Sequence, residues 1–198
     1  LVQVEDSKGA GAAALLGDLS KAVPGVGAQS AADAEIEILN SRMILGKVIG
    51  DLNLNIRIHD NQDTLFNRII EPNKNKIIYD NNLVIFKNEK SEFVIKTLEV
   101  PTYYVDKPLK LQFEDQQHFS LSHKDQVVFK GSLNKPNSAQ DKYGEWKVEL
   151  YNKTPFKQSF TLTKLSIPSA VNLVRSQYGV AERGKQSGVI GLSYNGTD

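Results

Sequence analysis

Apolar residues in 30–50 recur with the three- and four-residue spacing of an amphipathic helix. Ser30 is a suitable N-cap, and Asp33 makes a weak capping box with it, so we predict one continuous helix that ends near Gly50. The centre of its core-facing arc holds an acid, a base and a glycine: Glu35, Arg42 and Gly46.

These three residues need a structural explanation, because the buried arc of a helix is normally apolar. Glu35 and Arg42 are two turns apart, about 10 Å along the axis, which is too far for an easy direct pair. We therefore predict that Arg42 packs its aliphatic stem in the core and extends its guanidinium to another carboxylate or carbonyl. Gly46 is expected to permit the close approach of a strand.

Most other segments alternate between apolar and polar residues, as strands do. Residues 1–6 predict a strand, 9–23 an Ala-rich helix, and the alternation of Leu52, Leu54, Ile56 and Ile58 another strand. Two β-branched runs separated by Asp-Asn-Asn at 80–82 predict a hairpin. Six more strands are predicted in EFVIKTLEV, LKLQFED, HFSLSH, QVVFKGS, EWKVELYN and SFTLTKLS.

The last third combines a loop, a helix and a closing strand. Residues 134–144 are polar and predict a solvated, poorly ordered loop. PSAVNLVRSQYG predicts a helix with Ser166 or Ser169 near its start and Gly179 as its stop, and GVIGLSYNG a final strand. Helices on both sides of a β-rich middle predict an α+β fold with an insertion in its sheet.

Composition narrows the function classes. The chain has 198 residues and a net charge of +1, which argues against a nucleic-acid partner. It has no cysteine, so disulfides, thiol nucleophiles and cysteine-bound metals are excluded. It contains no run of about 18 apolar residues and does not begin with Met, and we expect it to be a segment of a longer protein.

Candidate catalytic residues are few. No phosphate-binding loop or nucleophile elbow occurs, and the three histidines, His59, His118 and His123, lie in or beside strands without metal-ligand spacing. Glu114 and Asp115 would suit a glycosidase only across a cleft from another acid, and a solvated turn is the simpler interpretation. We expect no catalytic, metal or cofactor site here, and favour a binding or scaffolding domain.

Aromatic residues occur about once per predicted strand. They are expected to form the core of a β-rich module, and an alternative is that they form a platform for stacking sugars. The residues concerned are Phe113, Phe119, Phe129, Trp146, Tyr151 and Phe160.

Three segments resemble one family. AEIEILNSRMILGKVIGDLNLNI, PLKLQFEDQQHFSLS and GVIGLSYNGTD are similar, in the right order, to the periplasmic domain of Wzz-type polysaccharide co-polymerases of the Wzc-like branch, which is fused to a bacterial tyrosine autokinase. The opening LVQVED resembles the strand after that family's first transmembrane helix. The positions that match its motifs, structural rather than catalytic, are Glu35, Glu37, Leu39, Ser41, Arg42, Gly188, Leu192, Tyr194, Gly196 and Asp198.

The resemblance implies an architecture. It predicts an α/β base, a mixed sheet with packed helices, from residues 1–60 and 155–198, carrying a β-rich insertion at 75–165 within a single periplasmic domain of 1–198. The kinase domain, which would use ATP and Mg²⁺, and two transmembrane helices are expected in the parent protein at the bacterial inner membrane. The segment alone would then have no kinase activity and be monomeric or weakly associating.

The implied function is scaffolding in capsule or exopolysaccharide synthesis, chain-length regulation and export. Implied partners are further copies of the protein in a ring, an outer-membrane export protein, the polymerase and a cytoplasmic phosphatase. Three alternatives remain open: a carbohydrate-binding or adhesin-like β domain, a kinase-free chain-length determinant of lipopolysaccharide O antigen, and an enzyme acting on glycans.

Overall fold

The computed structural model describes residues 2–3, 31–61, 75–152, 159–184 and 187–195. Contacts between Cα atoms divide the chain into two units, which are described in turn. One falls within Leu1–Leu45 and Leu173–Thr197, and the other within Gly46–Asn172.

Helices and strands both occur, and strands dominate. The helices are α1 (Ala31–Leu39), α2 (Arg42–Asp51) and α3 (Ile167–Gln177), with a 3-10 turn at Thr102–Tyr104. The strands are β1 (Val2–Gln3), β2 (Ile56–Asp60), β3 (Lys76–Asp80), β4 (Leu83–Lys87), β5 (Glu92–Glu99), β6 (Pro108–Phe113), β7 (His118–His123), β8 (Gln126–Ser132), β9 (Pro136–Asp141), β10 (Gly144–Asn152), β11 (Ser159–Lys164), β12 (Tyr178–Glu182) and β13 (Val189–Tyr194).

The unit Gly46–Asn172 contains two five-stranded sheets, ordered β3-β4-β5-β10-β9 and β2-β11-β6-β7-β8. Their inward side chains share one core, in which rings from the two sheets touch. The centroids of Phe86 and Phe160 are 5.0 Å apart and those of Phe129 and Trp146 are 5.4 Å apart. This packing of two antiparallel sheets is a β-sandwich.

The hairpin predicted around residues 80–82 is confirmed. β3 and β4 pair with Asp80 opposite Leu83. Asn81 and Asn82 both have positive φ, 44° and 65°, as a two-residue type I′ turn requires. The six strands predicted between EFVIKTLEV and SFTLTKLS are all confirmed as well.

The other unit contains a three-stranded sheet, β1-β13-β12, with α1 lying against β12 and β13. Ala32 of α1 and Ile190 of β13 are buried. Every strand pair that the described residues form is antiparallel, so they do not show the predicted mixed sheet. The predicted α+β class is confirmed, whereas the base and insertion boundaries stay a prediction.

The prediction of one helix through residues 30–50 is wrong, because the helix is interrupted at Asn40 and Ser41. The Asn40 and Ser41 amides donate to the carbonyls of Ile36 and Ile38, closing the last turn of α1. The Ser41 hydroxyl accepts a hydrogen bond from the Ile44 amide at 3.2 Å and so caps α2. Residues before and after Ser41 therefore do not share one helical wheel.

Leu52 and Leu54 do not belong to a strand as predicted. Asn53 has a φ of 54°, its amide donates to Gly50 O, and the Leu54 amide donates to Ile49 O. These two bonds form a Schellman motif that ends α2. The predicted strand is thereby shortened to β2, where Ile56 and Ile58 are buried.

The solvated loop predicted at 134–144 is also wrong, because β9 forms an edge strand against β10. Asn137 stabilises it: the Ser132 amide donates to Asn137 Oδ1 at 2.8 Å, and Asn137 Nδ2 donates to Ser132 O at 2.8 Å. Asp141 Oδ1 accepts hydrogen bonds from the amides of Tyr143 and Gly144 at the turn into β10.

α3 begins where the sequence predicted, with Ser166 accepting a hydrogen bond from the Ser169 amide at 3.3 Å. It ends at Gln177, and Gly179, expected to be its stop, lies in β12, a strand that the sequence did not predict. The helix predicted at 9–23, the cap at Ser30, and the motif residues Gly196 and Asp198 lie outside the described residues. Of the helices described, none is long and apolar enough to cross a membrane.

Candidate functional site

The motif residues on the first two helices are mostly exposed. Glu35, Glu37 and Arg42 are exposed and Leu39 is half-buried, while Ser41 caps α2. The prediction that Arg42 is a buried anchor is therefore wrong. Arg42 is the first residue of a new helix, so it does not lie on the core-facing arc that a continuous helix would have given it.

Gly46 does permit a close approach, although not to the strand that was predicted. A Cβ at Gly46 would lie 3.0 Å from Cγ2 of Ile167, the first residue of α3. The glycine thus lets α3 begin close to α2.

The motif residues on the closing strand lie at the surface or in its turn. Gly188 has a φ of 66°, and its amide donates to Glu182 Oε1 at 2.9 Å, closing the turn between β12 and β13. Leu192 and Tyr194 are 49% and 62% exposed. The Tyr194 hydroxyl donates to Gln177 Oε1 at 3.0 Å, tying β13 to the end of α3.

The acid pair at the end of β6 forms a turn, as its simpler interpretation predicted. Asp115 Oδ1 accepts hydrogen bonds from the Gln117 and His118 amides at 2.6 and 2.7 Å, and Asp115 Oδ2 lies 2.8 Å from His118 Nδ1. The hydrogen bond with the His118 ring is the main cause that lowers the pKa of Asp115, and the Gln117 amide adds to it. Asp115 is a turn-forming residue in an exposed position.

The histidines have separate surroundings. His123 is buried, and its Nδ1 donates to Pro108 O at 3.1 Å. Its Nε2 has no hydrogen-bond partner among the described residues. His59 is exposed on β2. Among the residues with described positions, no three His, Asp or Glu side chains come together as metal ligands would.

The strand-borne aromatics form the core. Five of the six candidate residues are at least 96% buried, and this leaves them no face for stacking a sugar: Phe113, Phe119, Phe129, Trp146 and Phe160. Tyr151 is half-buried, and its hydroxyl donates a short hydrogen bond to Glu149. The proposed platform of these residues is therefore wrong.

The described residues of the sandwich form a polar cleft of about 450 Å³, which is a candidate site. It lies in the unit Gly46–Asn172, where the end of α2, the β3–β4 turn, β5 and the end of β11 come together. Its polar lining includes Asp51, Asn53, Asn82, Lys96, Glu99 and Lys164.

Local backbone geometry builds two walls of the cleft. The left-handed turns at Asn53 and Asn82 are joined by a hydrogen bond of 2.7 Å from Asn53 Nδ2 to Asn82 O. Asn55 is buried and exchanges hydrogen bonds with Leu165, through its Nδ2 and its backbone carbonyl. The Schellman motif thus fixes Asn53, and the type I′ turn fixes Asn82, beside the sheets.

A charged network borders the same cleft on β5 and β10. Lys96 Nζ is 3.1 Å from Glu149 Oε1. The hydrogen bond from Tyr151 is the largest influence on Glu149 and lowers its pKa, with Lys96 acting in the same direction against the effect of burial. Glu149 raises the pKa of both Lys96 and Tyr151 by accepting their hydrogen bonds.

Lys164 differs from these charges because none of the described acids forms an ion pair with it within 4.0 Å. Its Nζ donates to Asn55 Oδ1 at 3.0 Å. Burial lowers the pKa of Lys164, and attraction to Glu99 only partly opposes this effect. Lys164 and Asn55 were not predicted, because TLTKLS and LNLN carry no motif. The two residues meet through the pairing of β2 with β11.

Comparison with a family model and with individual proteins identifies the same family. Residues 66–165, half of the chain, match the family model described as the N-terminal domain of the tyrosine-protein kinase Wzc.

Full-length kinases are matched over the whole of this chain. Tyrosine-protein kinase ptk of Acinetobacter johnsonii is 39% identical, with 100% of this chain and 27% of that protein aligned. The putative tyrosine-protein kinase AmsA of Erwinia amylovora is 28% identical and tyrosine-protein kinase etk of Escherichia coli K12 is 29% identical, with 100% of this chain and 24% of each protein aligned. The chain spans about a quarter of the length of these relatives.

Proposed function

Because the chain belongs to the family of Wzc N-terminal domains, we propose that it is the periplasmic scaffold module of an inner-membrane tyrosine-protein kinase that acts in capsule or exopolysaccharide synthesis. The match of residues 66–165 to that family carries the proposal. The names of the relatives support the kinase part, and the fraction aligned suggests that the kinase activity, with its ATP and Mg²⁺, belongs to a region outside this segment.

The proposed mechanism is assembly. Copies of the module pack side by side in a ring, which sets polymer length at the export and polymerisation machinery and couples to autophosphorylation on the cytoplasmic side. We expect this ring to contact the outer-membrane export protein and the polymerase. The kinase domain is expected to contact a cytoplasmic phosphatase. The motif residues Glu35, Glu37, Arg42, Leu192 and Tyr194 are exposed and so accessible to neighbouring copies.

A segment exchange tests the proposal. In the full-length parent protein, residues 1–198 are replaced by the aligned segment of a relative such as AmsA, 28% identical to this chain. The exchanged protein is expressed in the host without its own copy, and the size distribution of the secreted polymer is measured by gel filtration. Autophosphorylation, measured in the same cells, reports whether the kinase is intact.

We expect the polymer size distribution to follow the exchanged segment while autophosphorylation is retained. A size distribution that stays with the kinase domain, in a protein that still autophosphorylates, would overturn the scaffold role. A matched exchange of the kinase domain alone is the control.

A carbohydrate-binding role is the second candidate, and the polar cleft favours it. The buried aromatics do not supply a sugar platform, so this role depends on the cleft alone.

A further inference from the structure

The charges that line the cleft are paired, with one exception. Each distance is between an ammonium nitrogen and a carboxylate oxygen. It is 2.8 Å from Lys47 Nζ to Asp51 Oδ2, 3.1 Å from Lys96 Nζ to Glu149 Oε1, and 3.6 Å from Lys147 Nζ to Glu99 Oε2. Lys164 has no carboxylate within 4.0 Å among the residues that the structure describes. Among the described lining residues, Lys164 is therefore the charge that is not in an ion pair, and Glu99 acts on it only from a greater distance.

The amine of Lys164 still has hydrogen-bonding capacity. An ammonium group has three N–H donors, and Asn55 Oδ1 is its one hydrogen-bond acceptor within the described ranges. Partial burial removes water from this cation, which makes an incoming anion more favourable there than at an exposed lysine. The lowered pKa of Lys164 reflects the same loss of water.

The remainder of the lining suits a ligand rich in hydroxyl groups. The side-chain amide of Asn82 and the hydroxyl of Thr97 line the cleft and have no hydrogen-bond partner among the described residues. Amides and hydroxyls both donate and accept, as sugar hydroxyls require. A volume of about 450 Å³ is within the range of small-ligand sites.

We propose that this cleft binds a carboxylated saccharide, with its carboxylate on the Lys164 ammonium and its hydroxyls on Asn82 and Thr97. The inference rests on the proposed function, since it names the class of polymer that the module would contact. A neutral sugar would leave Lys164 unpaired, and a small anion would leave the amide and hydroxyl unused.

Calorimetric titration of the 198-residue chain tests this inference. The probe is an oligogalacturonate, and its fully methyl-esterified form is the matched neutral ligand. Sodium acetate and inorganic phosphate distinguish a saccharide from a simple anion. Lys164→Met removes the charge and keeps most of the stem, and Lys110→Met removes an exposed charge from the neighbouring strand β6 as the control.

We expect saturable binding of the oligogalacturonate, with affinity at least about tenfold weaker for the methyl ester and for Lys164→Met, and unchanged for Lys110→Met. Acetate and phosphate should bind far more weakly than the oligosaccharide. The comparison of the two ligands uses the unaltered protein, so it remains decisive if Lys164→Met fails to fold.

Three results would overturn the inference: no saturable binding of the oligogalacturonate, equal affinity for its methyl ester, or equal affinity for acetate or phosphate. Unchanged affinity in a folded Lys164→Met protein would do the same. If polymer length still followed the segment in the exchange experiment, the scaffold role would stand and only the ligand would be wrong.

Discussion

At the start of α2, a serine holds the helix end and the arginine that was predicted to be a buried anchor does not. Ser41 supplies the cap of the helix, and Arg42 is exposed. We expect Ser41→Ala to destabilise the fold by about 1 kcal/mol, because the Ile44 amide loses its acceptor. Arg42→Ala should change stability by less than about 0.5 kcal/mol, as exposed substitutions usually do.

Thermal unfolding followed by circular dichroism measures both variants. Ser41→Thr, which keeps a hydroxyl acceptor, is the control and should retain most of the wild-type stability. A larger loss for Arg42→Ala than for Ser41→Ala would restore the anchor role that the exposed position of Arg42 argues against.

The turn at Asp115 predicts a dependence of stability on pH. Its pKa is lowered in the folded state by the His118 ring and the Gln117 amide. A carboxyl group with a lowered pKa stabilises the fold above its unfolded pKa, and this contribution is lost as pH falls through the folded pKa. Asp115→Asn should therefore melt at a lower temperature than wild type at pH 7, with the difference closing below about pH 4.

The control for this pH profile is Glu114→Gln, which removes an equal charge one residue away. Its melting temperature should follow that of the wild type through the same pH series. A difference for Asp115→Asn that stayed constant down to pH 2 would show that Asp115 does not act through its charge.

At the scale of elements, two glycines should respond oppositely to the same substitution. A Cβ at Gly131 of β8 would lie 2.5 Å from Phe119 Cζ and 3.0 Å from Phe129 Cε1, both in buried rings. Gly131→Ala should therefore destabilise the sandwich by about 1–3 kcal/mol. At Gly50 of α2 no described atom lies within 4 Å of an added Cβ, and Gly50→Ala should stabilise by about 0.5–1 kcal/mol.

Chemical denaturation measures both glycine variants, and each is the control for the other. Equal effects of the same sign would contradict the packing of β8 against Phe119 or the open surroundings of Gly50. Trp146 fluorescence reports the transition, since this indole is fully buried in the sandwich core.

Sequence predicted those elements whose stability comes from a local pattern. The alternation in HFSLSH gives β7, and two asparagines that tolerate positive φ give the turn between β3 and β4. β9, with the sequence PNSAQD, has no such alternation. It is a strand because β10, which follows after a short turn, and the Asn137 side chain supply its hydrogen-bond partners. The composition of β9 itself carries no strand pattern.

The helix interruption and the cleft were not predicted, each for its own reason. A helical periodicity persists across Asn40 and Ser41, although a side-chain cap breaks the helix there. The cleft joins Asn53, Asn82 and Lys164, which are far apart in sequence. Strand pairing brings these residues together, and no sequence pattern predicts that they are neighbours.

On the scale of the whole molecule, the described core of the sandwich comes from one continuous part of the chain. Every buried residue of the large hydrophobic cluster falls between Ile56 and Leu162, inside the unit Gly46–Asn172. Both sheets of the sandwich are also complete within that unit. Among the described residues, the interior of the sandwich is thus formed without a contribution from the first 45 positions or the last 26.

We therefore expect residues 41–177, which keep α2 and α3 whole, to fold without the rest of the chain. The fragment should show the blue-shifted emission of a buried Trp146, the single tryptophan, and unfold cooperatively in urea with a midpoint near that of the full 198 residues. The matched control is the same fragment with Gly131→Ala, which should unfold earlier, because the Cβ clashes with rings of the same core. Red-shifted emission and a non-cooperative transition in the fragment would mean that the sandwich needs residues outside it, despite the closed core that its contacts form.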